Sequence, residues 1–205
     1  MSESATPPEF DVGLAEAAAW AGAGPEGIGE TALEPLTAEE RLDIEGDDPA
    51  TALRRTLGMF ATGVTVITTL ASEQIHGMTA NAFMSVSLEP PLVLISVDRR
   101  TKMCVLLHRE CRFGVSVLAD DQRALSDRFA GRAEDGGPAP SFAIVHDTPL
   151  VGGALAHFVA NVTRSYWGGD HSLFLGRVEF ARTGEGTPLL FHGGRYERLG
   201  SANGA

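Results

Sequence analysis

The chain has 205 residues, 43% of them hydrophobic, and a formal net charge of −11. That is enough chain for one domain with its own core, and no apolar run reaches the roughly 18–20 residues that a membrane-spanning helix needs. The acidity is local: residues 1–50 hold 13 acidic residues and one basic residue, Arg41, a net −12, whereas the rest carries 15 basic against 14 acidic residues, a net +1. An acidic extension on a near-neutral body, without a basic stripe interleaved with aromatics, argues against nucleic-acid binding.

Residues 1–48 are rich in Ala, Gly, Glu and Pro with scattered apolar positions, so a disordered extension is expected. Within it, Thr37–Ile44 has the spacing of a short amphipathic helix, with Thr37 and Glu40 as a capping box. The run GAGPEG, Gly22–Gly27, fits G-x-G-x-x-G by letter. It has no strand before it and contains Pro25, so it reads as a linker and not as a dinucleotide loop. No basic region followed by an apolar block opens the chain, so no secretory signal is expected. Cys104 and Cys111 form no CxxC pair. They argue for buried thiols in a reducing cytoplasm and against a disulfide framework or zinc site.

The folded domain is expected over residues 49–200. Asp48 and Pro49 can open a helix in which Leu53, Leu57 and Phe60 fall at helical spacing. VTVITTL, Val64–Leu70, is β-branched and reads as a strand. ASEQIHG reads as a polar turn. Gly77–Pro91, GMTANAFMSVSLEPP, alternates like one strand, with Thr79, Asn81, Ser85 and Ser87 on a neutral, hydrogen-bonding face. Leu92–Val97 is a third strand, Thr101–His108 a helix and Cys111–Leu118 a fourth strand. Asp120 is expected to cap a helix that Gly131 closes. After the loop GRAEDGGPAP come SFAIVHD, a β-rich run Ala154–Trp167, His171–Arg182, PLLFH and RYERL. Seven or eight mostly sequence-adjacent strands and two or three helices exclude strict βαβ alternation. They point to a mainly β, mostly antiparallel, Greek-key-like barrel with a few helices.

The chemistry-bearing residues are mostly neutral. No G-x-S-x-G elbow is present, the six histidines are scattered, and the expected strands lack paired carboxylates. Asp170 and His171 are adjacent, but strand neighbours face opposite ways; no metal site is expected. Thr62, Thr79, Asn81, Ser85, Ser87, Ser96, Thr101 and Lys102 instead concentrate in three consecutive strands and the following helix start. Hydroxyls, an amide and backbone groups can bind a planar heterocycle rich in acceptors. A helix start holding Thr101 and Lys102, next to Arg99 and Arg100, can bind a terminal phosphate. Strand propensity alone also accounts for many of the Thr and Ser residues.

FATGVTVITT (Phe60–Thr69), GMTANAFMSVSLEPPLVLISV (Gly77–Val97), FGVSVLADDQRALSDRFAG (Phe113–Gly131), GDHSLFLGRVEF (Gly169–Phe180) and PLLFHGGRYERL (Pro188–Leu199) resemble, in order, the flavin reductase family. Its members are flavin-binding split-barrel proteins that supply reduced flavin to two-component monooxygenases. The resemblance implies a homodimeric split barrel with FMN or FAD in a groove near the subunit interface. It implies NADH or NADPH as hydride donor and an oxygenase component as partner. It places Thr62, Thr79, Ala80, Asn81, Ser85, Ser96, Val97 and Phe129 around the flavin, Thr101 and Lys102 on its phosphate, and His171 of GDHSLF at the nicotinamide. Where many members carry Asn, this chain has Ser116. A non-catalytic flavin- or haem-binding protein and a flavin-dependent oxidase remain the alternative readings.

Overall fold

The computed structural model describes residues 48–132 and 139–200. The acidic extension, with its expected helix at 37–44 and the GAGPEG linker, lies outside the described residues. Helix α1 (Pro49–Leu57) starts as its sequence dictates: the Asp48 carboxylate accepts from Thr51 N at 3.2 Å, and Pro49 occupies the first turn. Two further helices follow, α2 (Lys102–Glu110) and α3 (Arg123–Phe129). Helix α3 starts later than expected: Gln122 flanks it, with its side chain turned back to Ala119 N and outward to Gly152 O, so Asp120 does not cap it.

The strands number twelve among the described residues, more than the seven or eight expected. Strands β2 (Thr65–Ala71), β3 (Gln74–Ala80), β4 (Phe83–Leu88), β5 (Pro91–Asp98), β6 (Arg112–Val117), β9 (Ala156–Gly168) and β10 (His171–Thr183) form one sheet. Its order is β3-β2-β6-β9-β10-β5-β4, and every ladder is antiparallel. Strands β1 (Thr62–Gly63), β11 (Leu189–His192) and β12 (Arg195–Arg198) make a small second sheet, and β7 (Phe142–Val145) pairs with β8 (Thr148–Val151). Two tight hairpins change the expected strands: one moves the start of β3 back to Gln74 and the other adds β8. Ser72-Glu73 and His146-Asp147 take positive φ at both turn positions (49° and 63°, 48° and 56°), the type I′ signature. Neither pair carries the Asn-Gly or Asp-Gly signal that marks such turns in a sequence, so the segment ASEQIHG hides the start of β3.

The largest correction concerns Gly77–Pro91. It is two strands, β3 and β4, which lie at opposite edges of the seven-stranded sheet. Only Asn81 and Ala82 join them. Two residues span at most roughly 7 Å, so the sheet must curl until its edges meet at this crossover. That is a barrel split along the β3 and β4 edges. A bulge at Val86 interrupts the alternation again, since Ser85 pairs with Val93 and Ser87 with Leu92.

Two apolar clusters hold the curl. Ile67, Val93, Ile95, Val97, Phe113, Val115 and Phe174 fill the barrel, and α2 covers them with Met103, Cys104 and Leu107. Cys104 is thus buried as expected, whereas Cys111 is only partly covered, at the left-handed end of α2. The second cluster, Val64, Val66, Leu118, Val151 and Leu189, lies beneath α3 and the small sheet. No helix among the described residues is long and apolar enough to cross a membrane.

Candidate active site

The residues singled out from the sequence gather in two adjoining places. The first is the crossover. Thr65 Oγ1 donates to the Ala80 carbonyl at 2.7 Å, Phe83 N donates to Asn81 O at 3.0 Å, and Ser96 N donates to Ala82 O at 3.1 Å. The Asn81-Ala82 link therefore lies against β5, with both residues exposed. Three residues before the Thr65–Ala80 rung, Thr62 Oγ1 is buried without a hydrogen-bond partner among the described residues. An unpaired buried hydroxyl costs about 1–3 kcal/mol, so this atom can gain from an incoming polar ligand.

The shared face of Thr79, Asn81 and Ser85 expected from alternation does not exist. Thr79 lies opposite Val66 on the side of the second cluster, and its Oγ1 donates to the Ser126 carbonyl of α3 at 2.7 Å. Met78 and Ala80 pack against the barrel core. Ser85 pairs with buried Val93 on β4, three residues along β5 from Ser96. Val97 is 1% exposed within the barrel core, so only its backbone can reach a ligand. Phe129 packs beneath α3 with the second cluster, against Gly77 on β3 and Phe142. A Cβ on Gly77 would stand 2.5 Å from that ring.

The second place is the corner where β5 turns into α2 beside the β9–β10 hairpin. His171 is in register with Asp98, and Arg99 N donates to Asp170 O at 3.0 Å. Here the expected phosphate clamp is revised. Thr101 is the N-cap of α2: its Oγ1 accepts from Cys104 N at 3.3 Å and donates to Asp98 O at 2.7 Å. The Arg100 guanidinium grips the Asp98 carboxylate with two bonds of 3.1 and 2.6 Å. Arg99 lies over the Trp167 ring, 3.8 Å from its centre, and donates to Ser172 Oγ at 3.4 Å. The Arg100 bonds, with His171 among the lesser contributors, hold the Asp98 carboxyl down at about 2. Lys102 begins α2 within electrostatic reach of His76 on β3. Burial first, and then the Lys102 ammonium, push the His76 imidazole down. The corner therefore faces the free edge of β3.

Asp170 and His171 were expected to face apart. They do not, because Asp170 belongs to the turn after Gly169 (φ 72°), and its Oδ1 lies 2.7 Å from His171 Nδ1. An ionised carboxylate can only accept, so Nδ1 carries the proton of this bond, and Nε2 is the ring nitrogen left to meet a ligand. Sequence reasoning also missed Ser126 and Tyr196. Forty-seven residues separate Ser126 from Thr79, and no local pattern links them. Ser116, the departure from the family pattern, is fully buried, and its Oγ accepts from Val151 N at 2.9 Å. It anchors β8. Among the described residues, no three His, Cys, Asp or Glu side chains are grouped to hold a metal.

Residues 57–200 match the model of the flavin reductase like domain. The chain belongs to the flavin reductase family. It is 45% identical over 150 residues to an NADH-dependent flavin reductase of a Rhodococcus species, covering 72% of this chain and 85% of that protein. It is 42% identical over 149 residues to the reductase component of 4-hydroxyphenylacetate 3-monooxygenase from Thermus thermophilus, covering 72% and 95%. The Streptomyces globisporus NADH:FAD oxidoreductase SgcE6, solved with NAD and FAD fragments, superposes with a TM-score of 0.71 at 40% identity, covering 78% of this chain and 99% of that one. The family's mostly antiparallel fold is the one described above. The residues present also fit a flavin. The unpaired Thr62 hydroxyl and the free β3 edge meet the needs of a ring with several acceptors and an imide, and a helix start stands at the other end.

Proposed function

We propose that this chain is an NADH:flavin oxidoreductase that hands reduced FMN or FAD to an oxygenase component. The observation that carries this reading is the junction of crossover and corner on one strand. Ser96 holds the crossover, and two residues later Asp98 stands opposite His171. The flavin reductases among the relatives support it, and three of them are NADH-dependent, which favours NADH over NADPH.

When bound, flavin supplies the acceptor for the nicotinamide hydride. The chain contributes position and a partly dry surface, because hydride transfer needs two stacked rings and no protein nucleophile. Thr62, Asn81 and the backbone at Ala80 and Ser96 line the ring and its polyol chain. Lys102 and the first turn of α2 hold the phosphate. His171, oriented by its Nδ1 bond to Asp170, would present Nε2 to the nicotinamide carboxamide and fix that ring's orientation.

The functional unit in this reading is a homodimer in the cytoplasm, with residues 49–200 as its domain and 1–48 as an extension. Met84, Val86 and Leu88 on β4 are 54%, 46% and 93% exposed. An apolar run of this kind on an edge strand calls for a partner surface, and a second copy would cover it beside the split.

The test is to mix the purified protein with NADH or NADPH, with and without FMN or FAD, and follow nicotinamide absorbance. Flavin-dependent oxidation, faster with NADH, is expected. Oxidation that flavin does not stimulate would sink the reductase assignment.

A further inference from the structure

Strand β3 lines the proposed flavin groove with one side and is clamped on the other. The clamp has two points. The Phe129 ring lies over Gly77, and the Ser126 carbonyl accepts from Thr79 Oγ1. Both belong to α3, a helix of only seven residues. So short a helix is not self-supporting in water, and its position must come from what it leans on. On its far side it leans on Tyr196 of β12. Tyr196 Oη donates to Asp127 Oδ1 at 3.0 Å and lies 2.8 Å from Ser126 Oγ. Proton counting sets the direction. Tyrosine has one hydroxyl proton, and the carboxylate takes it, so Ser126 O–H donates to the Tyr196 oxygen. Ser126 is fully buried, which makes this geometry costly to lose. Arg123 stacks 5.0 Å from the Tyr196 ring centre and holds its outer face. A cleft of 490 Å³ opens beside this contact, lined by Asp120, Leu189 and Arg198 among others; it gives the C-terminal hairpin room to shift if the bond is lost.

We infer that Tyr196 is a positioning residue for the flavin: through Ser126 and Asp127 it seats α3, and α3 fixes the β3 edge at Gly77 and Thr79. The chain of contacts runs Asp127 carboxylate, Tyr196 hydroxyl, Ser126 hydroxyl, Ser126 carbonyl, Thr79 hydroxyl. Tyr196 touches no reactant; it acts through β3. The inference rests on the proposed placement of flavin along that strand.

The decisive variant is Tyr196→Phe, which removes one oxygen and keeps the ring that packs on Phe191. From the usual worth of one such hydrogen bond, the flavin KM and the flavin dissociation constant are expected to rise about 3- to 10-fold. The NADH KM and kcat at saturating flavin should stay within about twofold, within the range of ordinary distant substitutions. A purely structural tyrosine would lower the unfolding temperature and leave flavin affinity alone. Thr79→Val removes the other end of the relay, and the double variant should be no worse than the more affected single one, because members of one network are not additive. Wild-type flavin affinity in a folded Tyr196→Phe protein, or additive losses in the double variant, overturns the relay. Asn81→Ala reports on the placement itself: it should weaken flavin binding about 5- to 10-fold by loss of a direct amide contact, and wild-type affinity there overturns the placement and the inference with it.

Discussion

The crossover and the corner stand two residues apart along β5 and are built on opposite principles. At the crossover the side chains are neutral, and most of their hydrogen bonds go to the protein: Thr65 to Ala80, Thr79 to Ser126, Ser96 N to Ala82. What is left for a ligand is one buried hydroxyl, Thr62, and an exposed amide, Asn81. At the corner the carboxylates are already engaged, Asp98 by the Arg100 guanidinium and Asp170 by the His171 ring. In the proposed reading a ring would enter the first end by fitting a rigid edge. A phosphate would enter the second by competing in an existing ion network. Affinity at the corner should therefore fall with salt more steeply than affinity at the crossover.

The sharpest way to break the rigid end is Gly77→Val. Its Cβ meets the Phe129 ring at 2.5 Å, so α3 must lift or β3 must bend. Overpacking of this kind costs about 1–3 kcal/mol. Thermal denaturation should show the loss, and flavin binding should fall with it; an unchanged melting temperature would mean that α3 does not clamp β3. Next in size is His171→Ala. With Nε2 gone, kcat/KM for NADH should drop about tenfold, the equivalent of one positioning hydrogen bond in a stacked complex. Flavin affinity measured without NADH should not change, and a matching loss in flavin affinity would merge the two ends into one site. The smallest effect belongs to Asp98→Asn. The Asp98 carboxyl titrates at about 2 in the folded chain against 3.8 ordinarily. Its stabilisation is thus complete above about pH 4 and is lost as pH falls toward 2. The variant should lose that acid-limb dependence in pH-dependent unfolding, with less than a twofold change in flavin KM at pH 7.

The strand character of Val64–Leu70, Leu92–Val97 and Cys111–Leu118, the Asp48–Pro49 helix start and the mostly antiparallel class were all legible, because each rests on local propensity. The division of Gly77–Pro91 was not. Met78, Ala80, Ala82 and Met84 keep perfect alternation through the break, and nothing in those letters says that the sheet has changed edge. Asp170 reaching His171 was hidden for a related reason: the two belong to different conformations, a turn and a strand, that period-two reasoning treats alike. Thr101 shows the reverse error. Its hydroxyl looked available for phosphate, but a Thr before a helix is also the ordinary N-cap, and the cap is what forms. Tyr196, Ser126 and Thr79 meet only through tertiary folding across 117 positions, and no spacing rule spans that distance.

The Asn81-Ala82 link has a mechanical consequence. It is two residues long and joins the two edges of one sheet, so it works as a fixed spacer that sets how far the barrel can gape. Lengthening it by a few residues would leave every strand ladder intact and yet slacken the mouth of the groove. A chain reopened at this point and closed elsewhere would remain the same sheet without being the same receptacle.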